Sequence, residues 1–415
     1  MAQDLDGRGV PGSPTAHSVG ELQEELSRLW ARTAAARADA ARMEATRVAA
    51  QAEAAARAAA ALAASEEGQA DGHRIAARSS FLNLVVIAGD KATAEACAAT
   101  IAATGGQHPS RSLIISEEDP NGPPGLEAWV ETLSTGTASR RVETGAEMIH
   151  VTARGEAGHH LASIIVPLLV HDLPVAMWWP MDPPLNSHRA DRLLPIADRL
   201  IVDGASWTGN GLELLGQLAR VGAERRLTVV DYALLRQARW REALASVYDL
   251  PDLLPHLRAV RSVDVTYSCP EEGDPAGRTN VIRPLYHVAW LASRLGMSVS
   301  SPLQRRPDGR RVATLRQKDH AVEVSLAPVR SELGEGSTVR VTIASRLRGA
   351  ELRGDLMADE RTVSVVVNDK GRQRVRRTYN VAKVTDVELL VSAVEEATSD
   401  PLAVHALDAA RRLLG

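Results

Sequence analysis

Hydrophobic positions follow three rhythms along this chain, and each predicts a different kind of structure. From Val19 to about Glu67 the sequence is dominated by Ala, Arg and Glu, with no Pro and no Gly after Gly20, which predicts one long helix. Leu22, Leu26 and Leu29 open a heptad-like seam that continues through Thr33, Ala36, Ala40 and Met43 before Arg47 interrupts it. Such a stripe suits self-association or docking on a partner; its alternative is a solvated appendage held by helix propensity and charge pairs. The preceding residues, Met1 to Ser18, are rich in Gly, Pro, Ser and Asp and predict a flexible tail, and Gly68 to Gly72 reads as a linker.

The second rhythm begins after Phe81. Continuous apolar runs at Leu82 to Ala88, Ser112 to Ser116, Met148 to Ala153, Val175 to Trp179, Arg199 to Val202 and Leu227 to Val230 alternate with helical stretches, of which Lys91 to Ala103 is the first. Continuous Val/Ile/Leu runs separated by helices predict strands buried on both faces, hence a Rossmann-like, largely parallel sheet. Leu161 to Val170 suits a buried helix ending at the His171 to Pro174 turn. The third rhythm is strict alternation: Val322, Val324 and Leu326, then Val339, Val341 and Ile343, then Val363, Val365 and Val367. It predicts antiparallel strands with one wet face. Asn368 to Gly371 reads as a hairpin turn into a strand from Arg372 to Ala382, and a final helix starts at Asp386 and breaks at Pro401. The expected fold class is therefore α/β: a tail and long helix over 1–72, a Rossmann-like α/β domain over 73–232, and an α+β domain with an antiparallel sheet over 233–415.

Composition narrows the setting. A 415-residue chain with 45% hydrophobic residues can bury a sizeable core without staples. Its two cysteines, Cys97 and Cys269, lie in no CxxC or Cys/His spacing, which argues against a disulfide framework or structural zinc and for a reducing, cytoplasmic setting. No leader follows Met1 and no apolar run approaches the roughly 20 residues of a membrane helix, so neither secretion nor membrane spanning is expected. A formal charge of −4 gives no general nucleic-acid footprint.

Candidate chemistry is sparse. Gly89-Asp90 follows the first strand where a dinucleotide fingerprint would stand, but GxGxxG is absent and Asp90 suits an N-cap. Gly204, Gly209 and Gly211 echo the fingerprint, with Gly216 two residues late, and read better as turn residues. His159, His160, His171 and His188 lack paired metal-ligand spacing. Adjacent Trp178 and Trp179 point to opposite faces of a strand, so one is expected in the core and the other at a loop on the sheet's carboxyl edge, where ligands and partners gather. His108 and Arg111, in HPSR, read either as a structural turn or as a partner-facing or anion-binding edge. Arg372, Arg374 and Arg376 recur at period 2 and are expected on one strand face, with Arg305, Arg306, Arg310 and Arg311 as a second cluster; each is either a solvated face or a docking site for acidic groups.

Four segments resemble a known family: SFLNLVVIAG from Ser79, HPSR from His108, the apolar run through DLPVAMWWP, and ADRLIVDGA from Ala197, with a weaker continuation DYALLRQARWREALASVYD from Asp231. The chain resembles the OpcA family of glucose-6-phosphate dehydrogenase assembly proteins over roughly Ser79 to Asp249. That resemblance implies a non-catalytic protein with no cofactor of its own, which binds glucose-6-phosphate dehydrogenase and promotes its assembly or active state in the oxidative pentose phosphate pathway. NADP and glucose 6-phosphate would be ligands of the enzyme. On that reading His108, Arg111, Trp178, Trp179, Arg372, Arg374 and Arg376 are candidate partner-binding residues, and the N-terminal helix a candidate homo-oligomer contact. The residues alone leave a second reading open, an enzyme or sensor that binds a sugar phosphate or nucleotide at the α/β sheet edge.

Overall fold

A computed structural model describes residues 82–104, 110–135, 144–225, 227–271, 273–359, 361–380, 383–395 and 401–415, with 18–21, 23, 24 and 28 at the N-terminal end. The predicted helix over 19–67, its seam and the linker lie outside the described residues beyond those few positions, as does His108.

The first sheet is built from β1 (Leu82–Ala88), β2 (Ser110–Glu118), β3 (Gly125–Thr135), β4 (Thr144–Arg154), β5 (Val175–Trp179), β6 (Arg199–Val202) and β7 (Thr228–Asp231), with α1 (Lys91–Ala103) following β1. Its order is β3-β4-β2-β1-β5-β6-β7, and every pair is parallel except β3 with β4. The chain thus winds outward one way from β1, then restarts at β5 and winds the other way. This is the doubly wound arrangement, with its topological switch point between β1 and β5. Every residue of β1 and β5 is buried, as their apolar runs require, with Asn83 the one polar side chain among them. β3 is the element the hydrophobic pattern did not predict; it takes the place of a helix in the connection from β2 to β4.

The two faces of this sheet are covered differently. One carries Leu84, Val86, Trp178 and Ile201 against α1 and against α8 (Asp386–Glu395), a helix near the end of the chain. The other carries Val85, Ile87, Met177, Trp179 and Val202 against α2 (Leu161–Ile165), α3 (His188–Leu193) and α4 (Leu212–Arg225). The run predicted as a helix over Leu161 to Val170 is a short α-helix flanked by 3-10 turns, with Pro167 at the start of the second turn. Proline removes a helical donor there and prevents a longer α-helix.

After α5 (Tyr232–Leu235) and α6 (Ala238–Tyr248) the chain enters the second sheet, formed by β8 (Val260–Ser268), β9 (Ser298–Arg305), β10 (Arg311–Gln317), β11 (His320–Val329), β12 (Thr338–Leu347), β13 (Ala350–Ala358), β14 (Thr362–Asp369) and β15 (Arg372–Asn380). The order is β15-β14-β13-β12-β8-β11-β10-β9, antiparallel except for β8 with β11. Its apolar face packs against α6 and α7 (Ile282–Arg294), and the alternating burial in β11, β13 and β14 leaves the opposite face wet. The predicted hairpin turn is present: Lys370 and Gly371 both take positive φ, 47° and 81°, as a two-residue primed turn needs.

One core cluster runs through both sheets, from Val85 and Ile115 to Val265, Ile343 and Val365. The last helix, α9 (Pro401–Leu414), knits them, since it packs on α7 and α4 and reaches both β7 and β9. No helix among the described residues is long and apolar enough to cross a membrane.

Candidate functional site

In a doubly wound sheet the crevice outside the strand ends at the switch point is the place to look for a ligand. Here it is occupied by the chain's own side chains. β1 leads through Gly89 to Asp90, whose carboxylate accepts from Thr93 N at 2.8 Å and Thr93 Oγ1 at 2.9 Å and so caps α1. These hydrogen bonds, chiefly the backbone one, hold the Asp90 carboxyl below its usual pKa. A fixed carboxylate thus takes the helix start that a phosphate would need. From the other side of the crevice, Met181 lies over Gly89 so closely that a Cβ on the glycine would overlap its Sδ and Cε.

The neighbouring strand ends are tied to one another. Asp231, the last residue of β7, is buried and accepts three hydrogen bonds: from Gly204 N at 2.9 Å, Ala233 N at 2.8 Å and Tyr286 Oη at 2.8 Å. Those donors come from the loop after β6, from α5 and from α7. Gly204 is required, because a Cβ there would press on Asp231 Oδ2 at 2.6 Å and on Ile282. Asn280 extends the lock, donating from Nδ2 to Gly204 O and Trp207 O at 2.9 and 3.1 Å. Asp203, after β6, accepts from Arg236 Nη1 at 2.7 Å, and Arg236 also approaches Asp386 of α8 at 3.4 Å. Asp182, after β5, binds the backbone N of Thr208 at 3.1 Å. Carboxylates that would suggest acid–base chemistry in a linear sequence are here the fasteners between loops.

Burial, reinforced by Asp203, pushes the Asp231 carboxyl up to about 6 from an ordinary value of 3.8. The folded protein therefore binds this proton more tightly than the unfolded chain, so Asp231 makes stability fall as pH rises from about 4 to about 6. Its effect is on the order of 3 kcal/mol. Asp231→Asn keeps the acceptor for Gly204 and Ala233 and lacks the charge. Urea unfolding of both proteins at pH 4, 5, 6 and 7 is expected to show the variant gaining on the wild type across that interval. Parallel pH profiles would contradict the assignment.

The sequence-derived candidates divide sharply by burial. Trp178 and Trp179 do point to opposite faces, but both faces are covered. Trp178 is 5% exposed and lies 6.0 Å from Tyr232 in one core, and Trp179 is 1% exposed in the other. The expectation that one caps a loop is corrected: helices on both faces leave neither indole at the surface. Arg111 is likewise interior, at 9% exposure. It stands opposite Glu147 in the β2–β4 register, donates to it from Nε at 2.7 Å, and donates from Nη1 to Leu168 O at 3.0 Å. Its expected place at a partner-facing edge is corrected for the same reason, since the side chain is consumed by a buried ion pair. Arg311 of the second arginine cluster is also buried, bonded to Tyr267 Oη and Gly277 O, while Arg306 and Arg310 are exposed.

Arg372, Arg374 and Arg376 are exposed on β15, the edge strand of the second sheet. They do not share one face. A register shift sets Arg376 opposite Val366 but Arg372 opposite Asp369, and Val366 and Asp369 face opposite sides of β14. The bulged residue, Arg374, turns to Asp252 at 3.3 Å and Asp369 at 3.7 Å. Arg377 donates to Ser246 O of α6 at 3.0 Å. The result is a cationic rim wrapped around the sheet edge.

Several site-building residues escaped sequence reasoning. Asn83, within the apolar run of β1, binds Val170 through both N–H and C=O and holds the His171 to Pro174 turn. A lone amide in an otherwise apolar strand was the available signal. Glu147, Tyr286 and Asn280 carried none, because their partners lie 36 to 76 residues away in the chain. Cys97 is buried against α8, and burial pushes its thiol up to about 12, so it is not poised to react.

Comparison with known proteins gives a consistent result. Residues 99–220 match the family described as glucose-6-phosphate dehydrogenase subunit N-terminal domain, and residues 227–407 match its C-terminal counterpart, both carrying the OpcA name. The motifs that carry the sequence resemblance end near Asp249, whereas the second match continues through the whole second sheet. The chain is similar to an OxPP cycle protein OpcA of Synechocystis, 28% identical over 148 residues, covering 35% of this chain and 29% of the relative. It is also similar to an OxPP cycle protein OpcA of Synechococcus elongatus, 25% identical over 243 residues, covering 56% and 51%. The chain thus spans about half or less of the length of the curated relatives it matches. Similar solved structures include the WlbA dehydrogenase of Thermus thermophilus, with 12% identity, TM-score 0.40 and coverage of 80% of this chain and 95% of that one. Another is the Gal80p transcriptional regulator of Kluyveromyces lactis, with 10% identity, TM-score 0.41 and coverage of 80% and 88%. Neither likeness bears on what this chain does.

Proposed function

We propose that this chain, which belongs to the OpcA family of glucose-6-phosphate dehydrogenase assembly proteins, binds that dehydrogenase directly and favours its assembled, active state without carrying out chemistry itself. The observation that carries the reading is the tandem family match, which spans most of both sheets. The filled switch point supports it. With Met181 over Gly89 and Asp90 committed to its cap, the chain's own groups stand where a dinucleotide phosphate would go, which weighs against the metabolite-binding alternative.

The protein would act in the cytoplasm, and NADP and glucose 6-phosphate would be the partner's ligands. A regulator of this kind shifts an equilibrium only by its preference for one state of its target; a tenfold preference for the active form is worth about 1.4 kcal/mol. Of the candidate contacts, Arg372, Arg374 and Arg376 keep their place in the reading because they are exposed. Among the described residues, Arg374 pairs with Asp252 and Asp369, whereas Arg372 and Arg376 form no ion pair.

Reversing both charges, Arg372→Glu with Arg376→Glu, is expected to weaken the complex about tenfold and to reduce its sensitivity to salt, mainly through slower association. Surface plasmon resonance against the purified dehydrogenase at two ionic strengths measures this. Unchanged affinity and salt dependence would remove the rim from the interface.

A further inference from the structure

A groove of about 410 Å³ opens between α6, α7, the 3-10 turn Leu254–Arg258 and the first turn of α9, on the helix-covered face of the second sheet, from which Arg376 points away. Its size is within the roughly 300–1,000 Å³ typical of binding pockets. The floor is aliphatic, with Leu244, Leu257, Leu291 and Leu402, and Trp290 forms a wall. The buried indole Nε1 of Trp290 has no hydrogen-bond partner among the described residues, which leaves a donor without its acceptor. The apolar surface does not end at the groove. In a 3-10 helix residues three apart eclipse one another, so Leu254 lies on the same face as Leu257, and it is 44% exposed.

Arginines outnumber acidic groups around it. Arg294 and Arg241, whose Nη1 donates to Leu234 O, line the groove with Glu242 and Asp249; Glu242 is engaged by Arg239 at 2.8 Å, and Arg258 is exposed at the end of the 3-10 turn. The rim described above joins the groove directly: Arg377 binds the backbone of Ser246 on α6, and Arg374 binds Asp252, two residues before Leu254. An aliphatic trough with an aromatic wall, bordered by guanidinium groups, fits an amphipathic helix whose bulky apolar residues at i and i+3 or i+4 are flanked by carboxylates. Such trough-and-anchor contacts are where interfaces concentrate their binding energy.

We propose that this groove seats an acidic amphipathic helix of the dehydrogenase, with the β15 arginines as the electrostatic border of the same interface. The assignment rests on the functional reading above and specifies where its principal contact lies. Two substitutions test it. Ala245→Trp places an indole at the groove from an exposed position on α6, and Arg294→Glu reverses a charge at its border without filling it. Binding of each variant to the purified dehydrogenase is measured by titration, with circular dichroism and thermal melting to establish that each is folded. Ala245→Trp is expected to raise the dissociation constant at least tenfold and Arg294→Glu about fivefold, while Arg316→Glu, on β10, leaves it within twofold. Wild-type binding that neither groove variant disturbs would overturn the groove and leave the functional reading standing. No complex with the wild-type chain would overturn the functional reading and the groove's assigned occupant together. Should Ala245→Trp fail to fold, Arg294→Glu, at an exposed helix end, gives the decision.

Discussion

Arg111→Ala is expected to destabilise the protein by about 3–5 kcal/mol, although Arg111 stands in a motif that reads like a recognition site. The side chain lies between β2 and β4 with its Nε on Glu147 and its Nη1 on Leu168 O, and Glu147 is only 2% exposed. Removing the guanidinium takes the Arg111 ion pair away from a carboxylate in a low-dielectric interior, where ionisation is costly. The pair itself adds little net stability, because desolvating two charges offsets most of their attraction. The single and double variants should therefore behave very differently. Arg111→Met with Glu147→Leu removes both charges and keeps most of the volume, and it is expected to recover the greater part of what Arg111→Ala loses. Urea unfolding of the two variants beside the wild type measures both steps. Equal loss in the two would show that packing, not the lost ion pair, is responsible. A partner-facing Arg111 would instead weaken binding and leave unfolding unchanged.

Trp179→Ala is expected to cost about 3–5 kcal/mol, the range for truncating a large buried aromatic. Trp179 is almost completely enclosed on the α3 and α4 side of the first sheet, where Arg189 lies 5.9 Å from its ring. Trp178→Ala should lose a comparable amount, since its indole fills the separate core beneath α1 and α8. The two losses should be roughly independent, as the side chains belong to different clusters. Any defect of these variants in partner binding should follow their loss of structure and disappear at temperatures where they remain folded. A Trp179→Ala protein with unchanged unfolding and a selective loss of binding would place the indole at an interface instead.

How far the structure was legible in the sequence depended on whether each feature is local. β1, α1, β5 and β6 have the predicted limits because continuous apolar runs and a capping Asp90 mark them within the segment itself. The alternation in β11, β12 and β14 was equally plain. β3, β9, β10 and β13 were missed. β3 has the sequence GLEAWVETLST, in which small and acidic residues dilute the apolar positions, and in β13 the sequence AELRGDLMA gives little strand propensity. Sheet pairing rather than local preference makes these segments extended.

The same distinction explains the site. A tryptophan pair and an HPSR motif advertise themselves, yet whether Trp178 or Arg111 is buried depends on helices and strands elsewhere, α8 among them, hundreds of residues on. The bulge at Arg374 is invisible until β14 supplies a register. The Asp231 lock joins three segments by contacts no window of sequence contains. The groove between α6 and α7 was not foreseen at all, since Leu257, Trp290 and Leu402 look like ordinary core positions until the helices are seen to leave a gap.

The measurement that bears most directly on the account is the rate of purified glucose-6-phosphate dehydrogenase from the same organism, at subsaturating glucose 6-phosphate, as this protein is titrated in. A saturable rise in rate, with the two proteins co-eluting from a sizing column at the same stoichiometry, is the predicted result. Unchanged rate and separate elution across the titration would contradict it.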